Sequence, residues 1–110
     1  SGLVSNNDEF SRAMIHSSNE TDDRAWRLPS YPELKDYVKS TIADIKNTSN
    51  IKGGGTITAA EFLRQFTSDT PWVHLDIAGV AFVDGRERSY FGHGGTGYGV
   101  RLLTHYLQHN

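Results

Sequence analysis

The sequence predicts an α/β fold: part of a helix-covered mixed sheet in three layers, α/β/α, incomplete as a stand-alone domain. Three observations predict it. The run from Trp72 to Val83 is the one convincing strand, with Val73, Leu75, Ile77, Val80, Phe82 and Val83 apolar and few polar breaks. Such near-continuous apolarity suits a strand buried on both faces beneath helices. Four other stretches carry helical periodicity. A single strand of that kind cannot close its own sheet, so its partners are expected in another chain or in a missing part of this one.

The first helix is expected from Ser5 to about Ser18. Ser5 caps it with Asp8 three residues on, and Phe10, Ala13 and Met14 share one face. The polar stretch Asn19 to Arg24 ends it, and the Asp22-Asp23 pair within that stretch reads as solvated. Trp26-Arg27-Leu28-Pro29 is extended, because the residue before proline is pushed out of the helical region. Ser30 caps a second helix with Pro32 in its first turn and Leu34, Tyr37 and Val38 on one stripe. The pattern leaves open whether it runs on through Ile42 and Ile45.

Asn47 to Gly55 reads as a loop. Thr58 and Glu61 make a capping box for a third helix that buries Ala59, Phe62, Leu63 and Phe66. After the long strand, Asp84-Gly85 is a turn. The Gly-rich stretch Gly92 to Gly99 leads into a last helix, whose Leu102, Leu103, Tyr106 and Leu107 form an apolar stripe.

Composition bounds what such a chain does. Its 110 residues support one domain, burying roughly 65% of the unfolded surface. With no Cys, disulfides, thiolate metal sites and cysteine nucleophiles are excluded. The absence of Cys also favours the cytoplasm over a disulfide-stapled secreted setting. Eleven Lys+Arg against 13 Asp+Glu give a net charge of −2, which argues against nucleic acid as a partner. No apolar run approaches the ~20 residues of a membrane span, and no signal-peptide pattern is present. Two glycosylation sequons, at Asn19 and Asn47, read as chance matches in that setting. The chain opens Ser-Gly-Leu-Val without Met, and is expected to be a processed product or a fragment.

Candidate chemistry is sparse. The Gly92–Gly99 stretch before a helix is the geometry that binds phosphate on backbone N–H groups. It lacks the Lys-Ser/Thr of a P-loop, so a tight turn is the favoured reading. His105 and His109 have the i, i+4 spacing of a metal pair, but no acid accompanies them, and a solvated helix end is favoured. Asp76 lies between Leu75 and Ile77, where a carboxylate must be paired or hydrogen-bonded. It is either a catalytic acid or an anchor for neighbouring N–H groups, and the anchor is favoured because no second acid or base is near it in sequence. Ala78-Gly79-Val80-Ala81 puts small residues after Asp76-Ile77. Ligands bind at the carboxyl ends of strands in open α/β sheets, so this is either room for a ligand or room for a covering helix.

Six segments, in order, resemble the carboxyl-terminal part of the leucyl (cytosol) aminopeptidase family. They are Gly2-Leu3-Val4-Ser5-Asn6-Asn7-Asp8-Glu9, Trp26-Arg27-Leu28-Pro29 and Ile42-Ala43-Asp44-Ile45-Lys46-Asn47. Then come Gly55-Thr56-Ile57-Thr58-Ala59-Ala60-Glu61-Phe62-Leu63, Trp72-Val73-His74-Leu75-Asp76-Ile77-Ala78-Gly79 and Gly95-Thr96-Gly97-Tyr98-Gly99-Val100-Arg101-Leu102-Leu103. They cover essentially the whole chain.

The resemblance implies a two-metal exopeptidase, using Zn or Mn, that removes amino-terminal residues from peptides. It also implies an α/β catalytic domain assembled as a homo-hexamer. Its metal-ligating Lys and acids, and its Asn-Thr-Asp-Ala-Glu-Gly-Arg motif, belong upstream of the part resembled here. Asn47-Thr48-Ser49-Asn50 shares only two letters with that motif. No metal ligand and no catalytic residue therefore transfers to this chain, which alone is expected to be inactive and to bind no cation.

What does transfer is a wall of the pocket for the substrate's first side chain, formed by Ala78, Gly79 and Ala81. Some relatives carry a larger Met in place of Ala81, which implies a roomier pocket here. The rival reading is a non-catalytic binding or oligomerisation module with a Gly-rich anion-binding turn.

Overall fold

The sheet is organised around a strand that the periodicity did not reveal. Gly2–Ser5 forms β1, and its Leu3 and Val4 are 0% and 1% exposed. The computed structural model describes residues 1–31, 33, 34, 36, 54–83 and 94–110, and the architecture among them is mixed α/β. β1 is central in a three-stranded sheet. It pairs in parallel with β2 (Trp26–Arg27) and antiparallel with β3 (Val73–Asp76), in the register Leu3 to Leu75 and Val4 to His74. A second sheet pairs β4 (Phe82–Val83) with β5 (Gly94–Gly95).

The long strand expected from Trp72 to Val83 is thus two short strands in different sheets. Asp76 is its breaking point. The Asp76 Oδ1 accepts the Ala78 N–H at 3.0 Å, and the Ile77 carbonyl accepts the N–H groups of Val80 and Ala81 at 3.0 and 2.9 Å. These bonds close a turn, in a stretch where Ala and Gly give little support to an extended chain. Neither expected face is fully buried: β3 is half-buried along its length, and Ile77 and Phe82 are exposed. The neighbour that β3 needs lies inside this chain, as β1.

α1 (Asp8–Thr21) matches the first expected helix, with a shifted cap. Asn7, in extended backbone, accepts the Phe10 N–H at 2.7 Å. Ser5 is instead the last residue of β1, and its hydroxyl donates to the Trp72 carbonyl. α1 packs on α3 (Val100–His109) and buries Met14, Ser11, Ser17 and Ser18, with the Ser17 hydroxyl 3.0 Å from the His105 Nδ1 of α3 and the Ser18 hydroxyl accepting the Ala25 N–H. Leu3, Met14 and the fully buried Leu102 form the core, flanked by Phe10, Val73, Leu75 and Tyr106. The Tyr106 ring packs on Phe10 with centroids 5.4 Å apart.

α2 (Gly55–Arg64) begins a turn before the expected capping box. Thr58 already donates its N–H to the Gly54 carbonyl, and its hydroxyl turns back to Gly55. Glu61 Oε1 accepts from Gln65 on the next turn. Of the second expected helix only a turn is described, with the Leu34 N–H on the Tyr31 carbonyl. The expectations for Pro32, for 37–53, for Asp84-Gly85 and for Gly92-His93 lie outside the described residues.

Candidate functional site

The turn between β3 and β4 carries all three sequence-predicted pocket residues. Ala78 and Gly79 are exposed on it, and Ala81 is half-buried where the chain enters β4. Among the described residues, a Cβ added to Gly79 would meet no atom within 4 Å. The turn's far end is fastened by Thr96, whose hydroxyl donates to the Val80 carbonyl at 2.6 Å and whose N–H donates to the Ala81 carbonyl at 2.9 Å. A cleft of about 210 Å³ opens beside it, lined by Val80, Thr96, Tyr98 and Asp23 among others, and not by Ala78, Gly79 or Ala81.

Asp76 anchors the near end. Its Oδ2 accepts the Thr56 hydroxyl of α2 at 2.6 Å while its Oδ1 holds the Ala78 N–H. The Thr56 bond, then the Ala78 bond, hold the carboxyl below its ordinary value against a smaller opposing effect of burial, and the nearby His74 assists. Asp76 therefore has the anchoring contacts favoured from sequence.

Asp23 is the residue that sequence reasoning missed. Expected to be solvated, it is 2% exposed. Its Oδ2 accepts the N–H groups of Gly99 and Leu102 at 3.1 and 3.2 Å, and its Oδ1 takes the Arg101 guanidinium at 2.8 Å. Burial opposes its ionisation, but the Arg101 bond and the two N–H bonds outweigh that and leave the carboxyl below its ordinary value. A carboxylate at a helix N-terminus is favoured both by the orphan N–H groups and by the helix dipole. The signal available in sequence was the start of α3 itself: Gly99 offers no capping side chain, so the N–H groups required an acceptor from elsewhere.

His105 and His109 stack with ring centroids 4.1 Å apart. The His105 Nδ1 lies 3.0 Å from the Ser17 hydroxyl, and the His109 Nδ1 lies 2.8 Å from the His105 carbonyl. Among the described residues, no group of three or more His, Cys, Asp or Glu is placed to hold a metal ion. No helix among them is long and apolar enough to cross a membrane.

The sheets, the turn at the strand end and the first half of the helix that Asp23 caps lie within the match to one family model. The family model described as the catalytic domain of the cytosol aminopeptidase family matches residues 1–104, and the chain belongs to that family. A protein of Alkaliphilus oremlandii named "Probable cytosol aminopeptidase" is 46% identical over 106 residues, which is 96% of this chain and 21% of that protein. Proteins of the same name from a Bradyrhizobium species and from Cenarchaeum symbiosum are 48% and 43% identical, over 93% and 97% of this chain. The chain spans about a fifth of the length of these curated relatives.

Proposed function

We propose that this chain is the carboxyl-terminal segment of the catalytic domain of a two-metal leucyl aminopeptidase, an enzyme that removes amino-terminal residues from peptides. In this reading the segment supplies scaffold, and Ala78, Gly79 and Ala81 supply part of the wall around the substrate's first side chain. The observation that carries it is the turn at the end of β3. It is small-residue, open above Gly79, and fastened at both ends by Asp76 and Thr96. An open, fixed turn at a strand end is where a ligand reaches the backbone of an α/β sheet.

The parent enzyme is cytoplasmic and hexameric in this proposal, and its sheet is a three-layer α/β/α structure to which the present strands contribute one part. Paired cations, Zn or Mn, supply a metal-activated water and polarise the scissile carbonyl when bound. Among the described residues no set that holds them is assembled; the resemblance implies that the ligands lie upstream of the part matched here, and no step is derived through the cations. The anion-binding alternative loses its footing at α3, because the Asp23 carboxylate already takes the Gly99 and Leu102 N–H groups.

The test is the substitution Ala81→Met in the full-length enzyme, assayed with leucine and alanine p-nitroanilides. Met adds three heavy atoms to the wall, and a single methylene in an apolar pocket is already worth about tenfold, so preference is expected to shift toward alanine by about tenfold or more. An unchanged preference overturns the pocket reading of this turn. The isolated 110-residue chain, given Mn²⁺ or Zn²⁺, is expected to show no turnover.

A further inference from the structure

The pocket turn owes its internal shape to its own backbone and its placement to side chains outside it. Within the turn the Ile77 carbonyl accepts the N–H groups of Val80 and Ala81, and these bonds do not depend on any side chain. What orients it is a bracket. On the entry side the Asp76 carboxylate bridges the Ala78 N–H, at 3.0 Å, to the Thr56 hydroxyl in the first turn of α2, at 2.6 Å. On the exit side stands Thr96. Among the described residues no atom lies within 4 Å of a Cβ built on Gly79, and Ala78 is exposed, so they offer the turn little resistance to a small rotation once the bracket opens. Two bonds on separate oxygens fix the carboxylate plane, and with it the direction of the Ala78 N–H. Losing the Thr56 bond frees that plane to swing.

We propose that Asp76, held by Thr56, is a positioning residue for the substrate pocket. Its carboxylate sets where the Ala78–Gly79 backbone stands, and so how the enzyme discriminates large from small amino-terminal side chains. This rests on the pocket reading above. Asp76 touches no reacting atom in it; the residue acts through Ala78. The effect therefore falls on side-chain discrimination and not on the chemical step.

The experiment measures kcat and KM for leucine and alanine p-nitroanilides on the full-length holoenzyme, with melting temperatures for each variant. Thr56→Val and Asp76→Asn are expected to change the leucine-to-alanine KM ratio roughly three- to tenfold with kcat within about twofold. Thr56→Ser, which keeps the hydroxyl, is expected to restore the parental ratio. If the melting temperature falls while the ratio stays, or if kcat falls with the ratio fixed, Asp76 is a structural brace and the inference is overturned. Should Asp76→Asn fail to fold, Thr56→Val, which keeps the carboxylate, carries the same reading. Ala81→Met separates the two levels. If it shifts preference while Thr56→Val does not, the positioning role alone fails; if it shifts nothing, the pocket reading fails and this inference with it.

Discussion

Gly2 and Thr56 lie so close that a methyl group on Gly2 would stand 3.0 Å from the Thr56 Cγ2, and 2.9 Å from the Leu28 Cδ1. Leu28 can turn its terminal methyl aside. Thr56 has less freedom, because its hydroxyl is bound to Asp76. Gly2→Ala gains by restricting the unfolded chain, but the overpacking outweighs that gain. A net loss of about 1 kcal/mol is expected, read as a lower denaturant midpoint at unchanged slope.

Gly79→Ala provides the contrast. A Cβ there meets open space, and Gly79 is not among the glycines with positive φ. Its stability is expected to stay within about 0.5 kcal/mol of the parent. In the same denaturant titration, a loss as large as that of Gly2→Ala would show that the turn is covered.

Asp23 unites burial, helix capping and an ion pair, so its removal strands more than one group. Asp23→Ala leaves the Gly99 and Leu102 N–H groups without their acceptor, at an expected cost of about 3 kcal/mol. Asp23→Asn keeps one oxygen and gives up the charge, and about half that loss is expected. Urea unfolding followed by circular dichroism ranks the two, and equal losses would show that charge is all that matters.

The acid limb of stability follows from the same carboxyls. Asp23 and Asp76 both sit below their ordinary value of 3.8 when folded. A depressed folded value means that their contribution is fully present above 3.8 and is lost as the pH falls through the lower folded values. Stability is therefore expected to be insensitive to these two groups above about pH 5 and to fall on acidification below 3.8. Asp23→Asn should flatten that limb, as measured by melting temperature against pH.

What was legible in the sequence was what a period reveals. Leu102 and Tyr106 announced α3, and Phe10 and Met14 announced α1. β1 escaped because four residues hold too few repeats of a two-residue period, and its Leu3-Val4 pair reads equally as a helix approach. The Trp72–Val83 run was overextended because apolarity counts Ile77 and Phe82 as buried, whereas the backbone bonds at Asp76 turn the chain between them. Ala78, Gly79 and Ala81 were legible as small residues after a strand, a pattern that fits room for a ligand and room for a covering helix equally. Their bracket was not, since Thr56 and Asp76 stand 20 residues apart, and no pattern in one sequence joins them. Asp23 failed for the same reason at greater range.

The manner of its capping also sets when α3 can exist. α1 carries its own cap, Asn7, three residues from the N–H it serves. α3 has ten residues and borrows its cap from a position 79 residues before Leu102. Closing a loop of that size takes about 3 kcal/mol more entropy than closing the local one, and so short a helix is marginal by itself in water. α1 can therefore flicker into being in the unfolded chain, whereas α3 must wait for the surface that caps it. Its winding and its docking on α1 are one cooperative event.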